Sequence, residues 1–396
     1  MVLARYLLVA ALVRLADEGA RVAIVLLAVD RTGDAALGGI LVAALMIPHV
    51  VAAPLIGAYG DRTRRPRLFY TVALLTFASS LAGCALLVGG APAWTAVVVV
   101  VLGGCCAPLA TGGLSSLLKE LVPAKRRPRA YSFDVLTYNT AGIVGPAFAA
   151  LLAARIDARP AALVAAAVAA CGALLVLTLP LRERVASGPR PPMAAGVVVL
   201  WTDPVLRAIT FASSLGAIGI GVLPIAATVL ATERTGDATD AGLLISAYAV
   251  GGLIGSLANA RFTPWVERPQ RLVIWGTLVG AVPLMCVPLG GGMPVAVVLF
   301  ALSGFTTGPV ASGQFGVRDR YAPAPVHTQV FTISAGIKVS SGAVGAAVAG
   351  ATIGLGGAWL VLLFAGGKLF GALLGALLLR RAHRPAPEPA GVPHAA

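Results

Sequence analysis

The chain has 396 residues, 58% of them hydrophobic and only 12% charged, where an ordinary soluble protein carries about 25% charged residues. That is too little charge to clothe the two or three water-facing domains expected of a soluble chain this long. The net charge of +14 lies in short clusters between apolar runs, as cations flanking membrane spans do, so no nucleic-acid partner is expected.

Glycine (47) and proline (27) are abundant, which is tolerated in packed membrane helices, and no three-residue glycine period points to collagen. A helix needs about 20 residues to cross the hydrocarbon core. Twelve apolar runs meet that length: 5–29, 37–59, 68–89, 93–118, 131–154, 160–180, 204–231, 241–260, 270–289, 293–316, 327–353 and 357–379. None alternates with a period of two, so helices rather than barrel strands are predicted. The reading is an all-α integral membrane protein with twelve transmembrane helices. Arg14, Asp17, Glu18 and Arg21 interrupt the first run, which argues against a signal peptide. The cysteines (Cys84, Cys105, Cys106, Cys171, Cys286) all fall in apolar runs without metal-ligand spacing and read as small packing residues.

Connections after even-numbered spans hold the cations, among them Arg62, Arg64, Arg65, Arg67, Lys119, Lys125, Arg126, Arg127, Arg129, Arg182, Arg184, Arg190, Arg261, Arg268, Arg271, Arg318 and Arg320. Those after odd-numbered spans hold only Arg31, Arg155, Arg159 and Arg234. The asymmetry places both termini in the cytoplasm of a cell (inner or plasma) membrane protein. The domain reading is an N-terminal six-helix bundle at 1–181, a cytoplasmic linker at 182–203 containing Gly188, Pro189 and Pro191, a C-terminal six-helix bundle at 204–382, and a disordered cytoplasmic tail at 383–396.

Arg31-Thr32-Gly33-Asp34-Ala35 recurs as Arg234-Thr235-Gly236-Asp237-Ala238, 203 positions later. At the same offset Gly39 matches Gly242 and Arg65-Pro66 matches Arg268-Pro269; Gly142 and Gly145 match Gly342 and Gly345 at an offset of 200. Two related six-span halves are implied, and such halves can rock about a shared interface.

Gly57-Ala58-Tyr59-Gly60-Asp61-Arg62-Thr63-Arg64-Arg65-Pro66-Arg67 resembles the loop motif between the second and third spans of the major facilitator superfamily. Ala141 to Ala149, with Gly142, Gly145 and Pro146, is similar to part of the fifth-span motif of its drug/proton antiporter-like branch, although Ala149 and Ala150 stand where glycines are usual. Gly142, Gly145 and Pro146 are expected to form a fifth-span hinge, with a packing kink without directional meaning as the alternative. Gly103-Gly104, Pro108, Glu120, Pro123, Arg127 and Arg129-Ala130 resemble the fourth-span region of the same transporters. The resemblance implies a cytoplasmic gate containing Gly57, Gly60, Asp61, Arg62 and Arg65, with Asp61 near the N-terminal end of the eleventh helix. Arg129 is expected to join Asp61, and Asp134 is either a gate partner or a hydrated helix-end carboxylate. Pro264 and Trp265 stand where Asp61 and Arg62 would map in the second half.

A charge inside a span suggests function. Helical spacing lets Arg14 meet Glu18 and Asp17 meet Arg21, either as a structural ion-pair cluster or with Asp17 or Glu18 carrying a proton. Lys338 calls for an acid across the bundle, Lys368 is expected at the periphery, and His49 reads as a packing histidine. The resemblance implies that the first, fourth, seventh and tenth helices line the cavity, which nominates Thr111, Ser115, Ser213, Thr306, Thr307 and Gln314 beside Lys338. So aliphatic a set suits a lipophilic or amphipathic solute better than a sugar.

The reading is a secondary active transporter exporting such a small molecule in exchange for protons, monomeric, with the proton gradient as energy source and no cofactor or metal. It is not an enzyme, since no zinc-spaced set, nucleophile elbow or phosphate loop is visible. A proton-coupled importer of a metabolite and a non-transporting membrane sensor or scaffold are the alternatives.

Overall fold

The computed structural model describes residues 1–184, 192–262 and 268–382. Among them there is no strand, and twelve long helices carry the fold: α1 Val2–Thr32, α2 Ala35–Arg62, α3 Pro66–Leu87, α4 Ala93–Leu121, α5 Ala124–Arg155, α6 Ala158–Thr178, α7 Pro204–Thr235, α8 Ala238–Phe262, α9 Pro269–Leu289, α10 Gly292–Tyr321, α11 Ala324–Ala351 and α12 Gly357–Ala382. All but α1 are long and apolar enough to cross a membrane. The charged quartet near the middle of α1 sets it apart. The predicted linker is not wholly irregular, because Ala195–Thr202 forms a short connecting helix. Residues 185–191, 263–267 and 383–396, which include Gly188, Pro189, Arg190, Pro191, Pro264, Trp265 and the predicted tail, lie outside the described residues.

The recurring pentapeptide is a repeated helix-to-helix corner. Gly33 ends α1 with φ 68° and Gly236 ends α7 with φ 80°, a left-handed conformation that costs other residues a steric clash. The aspartate after each glycine caps the next helical turn. Asp34 accepts the N–H groups of Ala36 (2.8 Å) and Leu37 (3.2 Å), and Asp237 accepts that of Thr239 (2.8 Å). The paired Arg-Pro dipeptides likewise place proline at the first turn of α3 and α9, where its missing N–H is not needed.

Packing repeats too. α1 lies against α5 and α6 as α7 lies against α11 and α12; α2 pairs with α4 as α8 pairs with α10; α3 packs on α6 as α9 packs on α12. Small residues set these distances: Gly145 of α5 meets the backbone of Leu15 and Gly19 in α1, and Gly345 of α11 meets that of Ile218 in α7. A side chain at either would push the helices apart. Gly142 faces open space, so of the proposed fifth-span pair only Gly145 limits packing. Pro146 lies within the same helix.

Large apolar side chains point outward on most helices, including Ile47 (66% exposed), Trp275 (57%) and Phe370 (60%). In water such a surface would aggregate, whereas lipid solvates it. Of the cysteines, all free, Cys84 is buried but Cys171 is exposed on α6, so only some serve as packing residues. At the connections after odd-numbered helices, Asp157 accepts the Arg159 N–H (2.9 Å) and a bond from Arg31 (2.5 Å). These hold its carboxyl below the usual carboxylate range, so what the pairing adds is present above that range and is lost as pH falls through the lowered value.

Candidate functional site: a closed seam and a cationic cavity

Among the described residues, the side-chain hydrogen bonds joining α1–α6 to α7–α12 lie between the middle of the spans and the end that carries the even-numbered connections, with Asn139 the deepest. Asp61, at the end of α2, accepts the backbone N–H groups of Thr328 (2.8 Å) and Gln329 (2.9 Å) at the start of α11. Free N–H groups and the helix dipole both favour a carboxylate there. Further along the same seam Thr332 donates to the Ala53 carbonyl (2.8 Å), and Ser116 of α4 donates to Thr328 (3.3 Å). On the other seam Asn139 of α5 donates to Ser256 (2.9 Å) and Gly252 (3.2 Å) of α8, and Asn259 donates to Ser132 (2.6 Å).

The glycines of the loop motif make the approach possible. A Cβ on Gly57 would lie 2.8 Å from Gln329 Cα, and one on Gly60 would lie 3.1 Å from Thr328. Between the two seams sits an aromatic plug of Tyr131, Phe315 and Phe331, with Phe315 and Phe331 stacked at 5.8 Å and Tyr138 beside Phe315 at 6.1 Å. Sequence reasoning missed it, because the rings come from α5, α10 and α11 and each alone looks like core. α4 widens into a π-helical turn at Leu109–Gly113 just after Pro108, where Gly112 meets the Phe331 backbone; such turns accommodate a lost ladder bond.

The arginines divide differently from the sequence expectation. Arg129 is exposed, lies over Phe133 at 5.6 Å and does not reach Asp61. The Asp61 corner is instead braced by Arg184, which donates to the carbonyls of Gly60 (2.7 Å) and Asp61 (3.3 Å) while pairing with Glu120 (2.5 Å). Arg127 crosses to Asp319 of α10 at 3.4 Å. Arg62 donates to the Met193 sulfur (2.7 Å), and Arg65, 72% exposed, lies 3.7 Å from Glu183. The connecting helix joins the seam through its Gly196 N–H, which donates to Gln329 Oε1 (2.6 Å).

Asp134 is neither a hydrated helix-end carboxylate nor a partner of Asp61. It is fully buried and pairs with Arg14 at 2.7 Å, accepting further bonds from Tyr6 (2.6 Å) and Ser115 (2.6 Å). Arg14 also donates to Ser115 (3.0 Å) and to Thr137, and stacks 3.5 Å from the Tyr138 ring centroid. The expected Arg14–Glu18 pair is therefore absent. Arg21 alone serves both acids, at 2.7 Å to Asp17 and 3.0 Å to Glu18. His49 is buried, with Thr111 3.5 Å away.

Ser213 of α7, Thr306, Thr307 and Gln314 of α10, and Lys338 of α11 line one cavity. Thr111 and Ser115 do not; the former bonds to Pro108 and the latter belongs to the Arg14–Asp134 network. Ser213, Thr306 and Thr307 donate to carbonyls of their own helices. Lys368 lines the cavity instead of lying at the periphery: it is 4% exposed, donates to Ser303 (3.0 Å) and lies 5.3 Å from the Tyr248 and Phe364 rings. Among the described residues no acid pairs with Lys338.

Comparison with known proteins gives a consistent kinship. A family model described as Major Facilitator Superfamily matches residues 6–230. An uncharacterized MFS-type transporter, y4rN, of Sinorhizobium fredii is 26% identical over 359 residues, covering 88% of this chain and 87% of its own. The multidrug efflux pump Tap of Mycolicibacterium fortuitum is 26% identical over 344 residues, covering 82% of each. Among solved structures, a bacterial homologue of the iron transporter ferroportin in an outward-facing state superposes with a TM-score of 0.77 at 15% identity, covering 96% of this chain and 100% of that one. The chain belongs to the major facilitator superfamily and is a multi-pass membrane transporter, not an enzyme.

Proposed function

We propose that the chain is a proton-coupled exporter of lipophilic or amphipathic small molecules, acting as a monomer of twelve spans in two six-helix bundles with both termini in the cytoplasm. The observation that carries alternating access is that every described inter-half side-chain bond lies between the middle of the spans and one end, with none toward the other end. A pair of bundles tied at one end only can close the other and release the first, exposing the cavity to each side in turn. Export is supported by the kinship to Tap, a multidrug efflux pump, and the cation distribution supports a cytoplasmic position for the tied end.

Proton coupling rests on the balance of charges in α1. Because Arg14 is committed to Asp134, the cluster of Asp17, Glu18 and Arg21 holds one carboxylate in excess. An uncompensated charge in a span is costly, and taking up one proton removes it. Asp17, 4% exposed, is the better shielded of the two acids. In everted vesicles under an imposed pH gradient, Asp17→Asn combined with Glu18→Gln is expected to abolish gradient-driven accumulation of substrate while leaving membrane insertion intact. Undiminished accumulation by that double variant removes the proton assignment.

A further inference from the structure

The two halves treat their buried charges in opposite ways. In the first half the two arginines near the middle of α1 have acids: Arg14 has Asp134, and Arg21 has Asp17 and Glu18. In the second half Lys338 and Lys368 face one cavity, Arg318 lies one turn along α10 from the cavity-lining Gln314 and is 5% exposed, and none of the three pairs with an acid among the described residues. The described acids of that half are engaged or placed elsewhere. Asp203 and Asp237 cap helices, Glu233 accepts the Gly357 N–H, Asp240 sits in the first turn of α8, and Asp319 pairs with Arg127.

An ammonium group held within a span without a counter-charge is expensive. Two facing the same space, with a guanidinium nearby, create a field that one bound anion relieves and a bound cation worsens. The rest of the wall bears on what that anion is. Ala217, Ile220, Val310 and Ala311 are apolar, and the hydroxyls of Ser213, Thr306 and Thr307 are spent on their own backbones. A small inorganic anion would find few donors besides Gln314, Thr277 and the two lysines, and an apolar wall over the rest of its surface. An anionic head on an apolar body fits both parts of the lining.

We infer that this cavity binds amphipathic organic anions, with the carboxylate or sulfonate of the substrate held between Lys338 and Lys368 and its apolar body against α7 and α10. The inference rests on the proposed role of the cavity as substrate path and names the class of solute that uses it.

Three probes with one naphthalene body separate the possibilities: 1-naphthoate, 1-naphthylmethanol and 1-naphthylmethylamine. With the purified full-length protein, naphthoate is expected to raise the thermal unfolding midpoint, and the alcohol and the amine are expected to leave it nearly unmoved. Lys338→Gln should weaken naphthoate binding by about tenfold, the loss of one charge-assisted hydrogen bond. Lys338→Arg should retain most of it, and Lys368→Gln supplies a second, independent variant. A midpoint that moves equally with all three probes, or not at all with naphthoate, overturns the assignment, as does naphthoate binding that survives both glutamine variants. Transport in everted vesicles separates this idea from the export reading. Charge-selective binding without gradient-driven accumulation removes export and leaves the anion site standing, whereas accumulation of the amine alone removes the anion site and leaves export standing.

Discussion

Asp134→Ala is expected to destabilise the folded protein by about 3–5 kcal/mol, the range for breaking a buried ion pair by removing one partner. The cost arises on the side that remains. Arg14 is 2% exposed and meets Asp134 at 2.7 Å, and without that carboxylate its guanidinium keeps only neutral partners: Ser115, Thr137, the carbonyls of Ala110 and Asp134, and the Tyr138 ring. Tyr6 and Ser115 lose their acceptor in the same step. Removing both charges together, as Arg14→Met with Asp134→Leu, should recover much of the loss, because replacing a buried pair by apolar groups of similar volume is often close to neutral. The measurement is thermal unfolding of the purified variants followed by loss of the monodisperse chromatographic peak. A single Asp134→Ala variant as stable as its parent, or a double variant worse than the single, excludes the pair as a structural tie between α1, α4 and α5.

That network also marks where sequence reasoning stopped. Helical spacing offered Glu18 as the partner of Arg14, since residues four apart share a face, but the acid that wins lies 120 positions away on α5. Local periodicity carries no information about which helix faces which. The elements themselves were legible because length and apolarity are local: eleven of the twelve predicted spans are long apolar helices, and α1 departs only through its charges. The repeat was legible for the same reason, as Gly33 and Gly236 need a left-handed turn and Asp34 and Asp237 cap the helical turns after them. The motif glycines Gly57 and Gly60 and the carboxylate of Asp61 lie together against α11. Less visible were contacts assembled from distant segments. Arg184 takes the place beside Asp61 expected for Arg129, Arg127 crosses to Asp319, and Lys368 turns into the cavity. In a chain with so few charges, the partner of each cation is set by three-dimensional packing, which pairwise spacing does not encode.

The second large effect is expected at the tied end. Asp61→Asn should shift the protein toward opening there, because its carboxylate takes two N–H groups at the start of α11. Hydrogen bonds to a charged group contribute about 1.5–3 kcal/mol, and the helix dipole adds to the preference for negative charge. An asparagine offers one oxygen and turns an N–H₂ group toward donors that cannot accept it. A loss of about 1.5–3 kcal/mol corresponds to roughly a 10- to 150-fold change in the ratio of closed to open at that end. Gly57→Leu should act in the same direction by bulk, since even a Cβ there would lie 2.8 Å from Gln329 Cα. The readout is maleimide labelling of Ser116→Cys in a background free of the native cysteines. Ser116 is 4% exposed and lies beneath the Asp61 contact, against Thr328. Labelling should be slow in the parent and at least about tenfold faster in Asp61→Asn, with Asp61→Glu between the two. Unchanged labelling in both Asp61→Asn and Gly57→Leu means that the α2–α11 contact does not hold the bundles closed; the Asn139–Ser256 and Asn259–Ser132 bonds of the opposite seam would then bear the load.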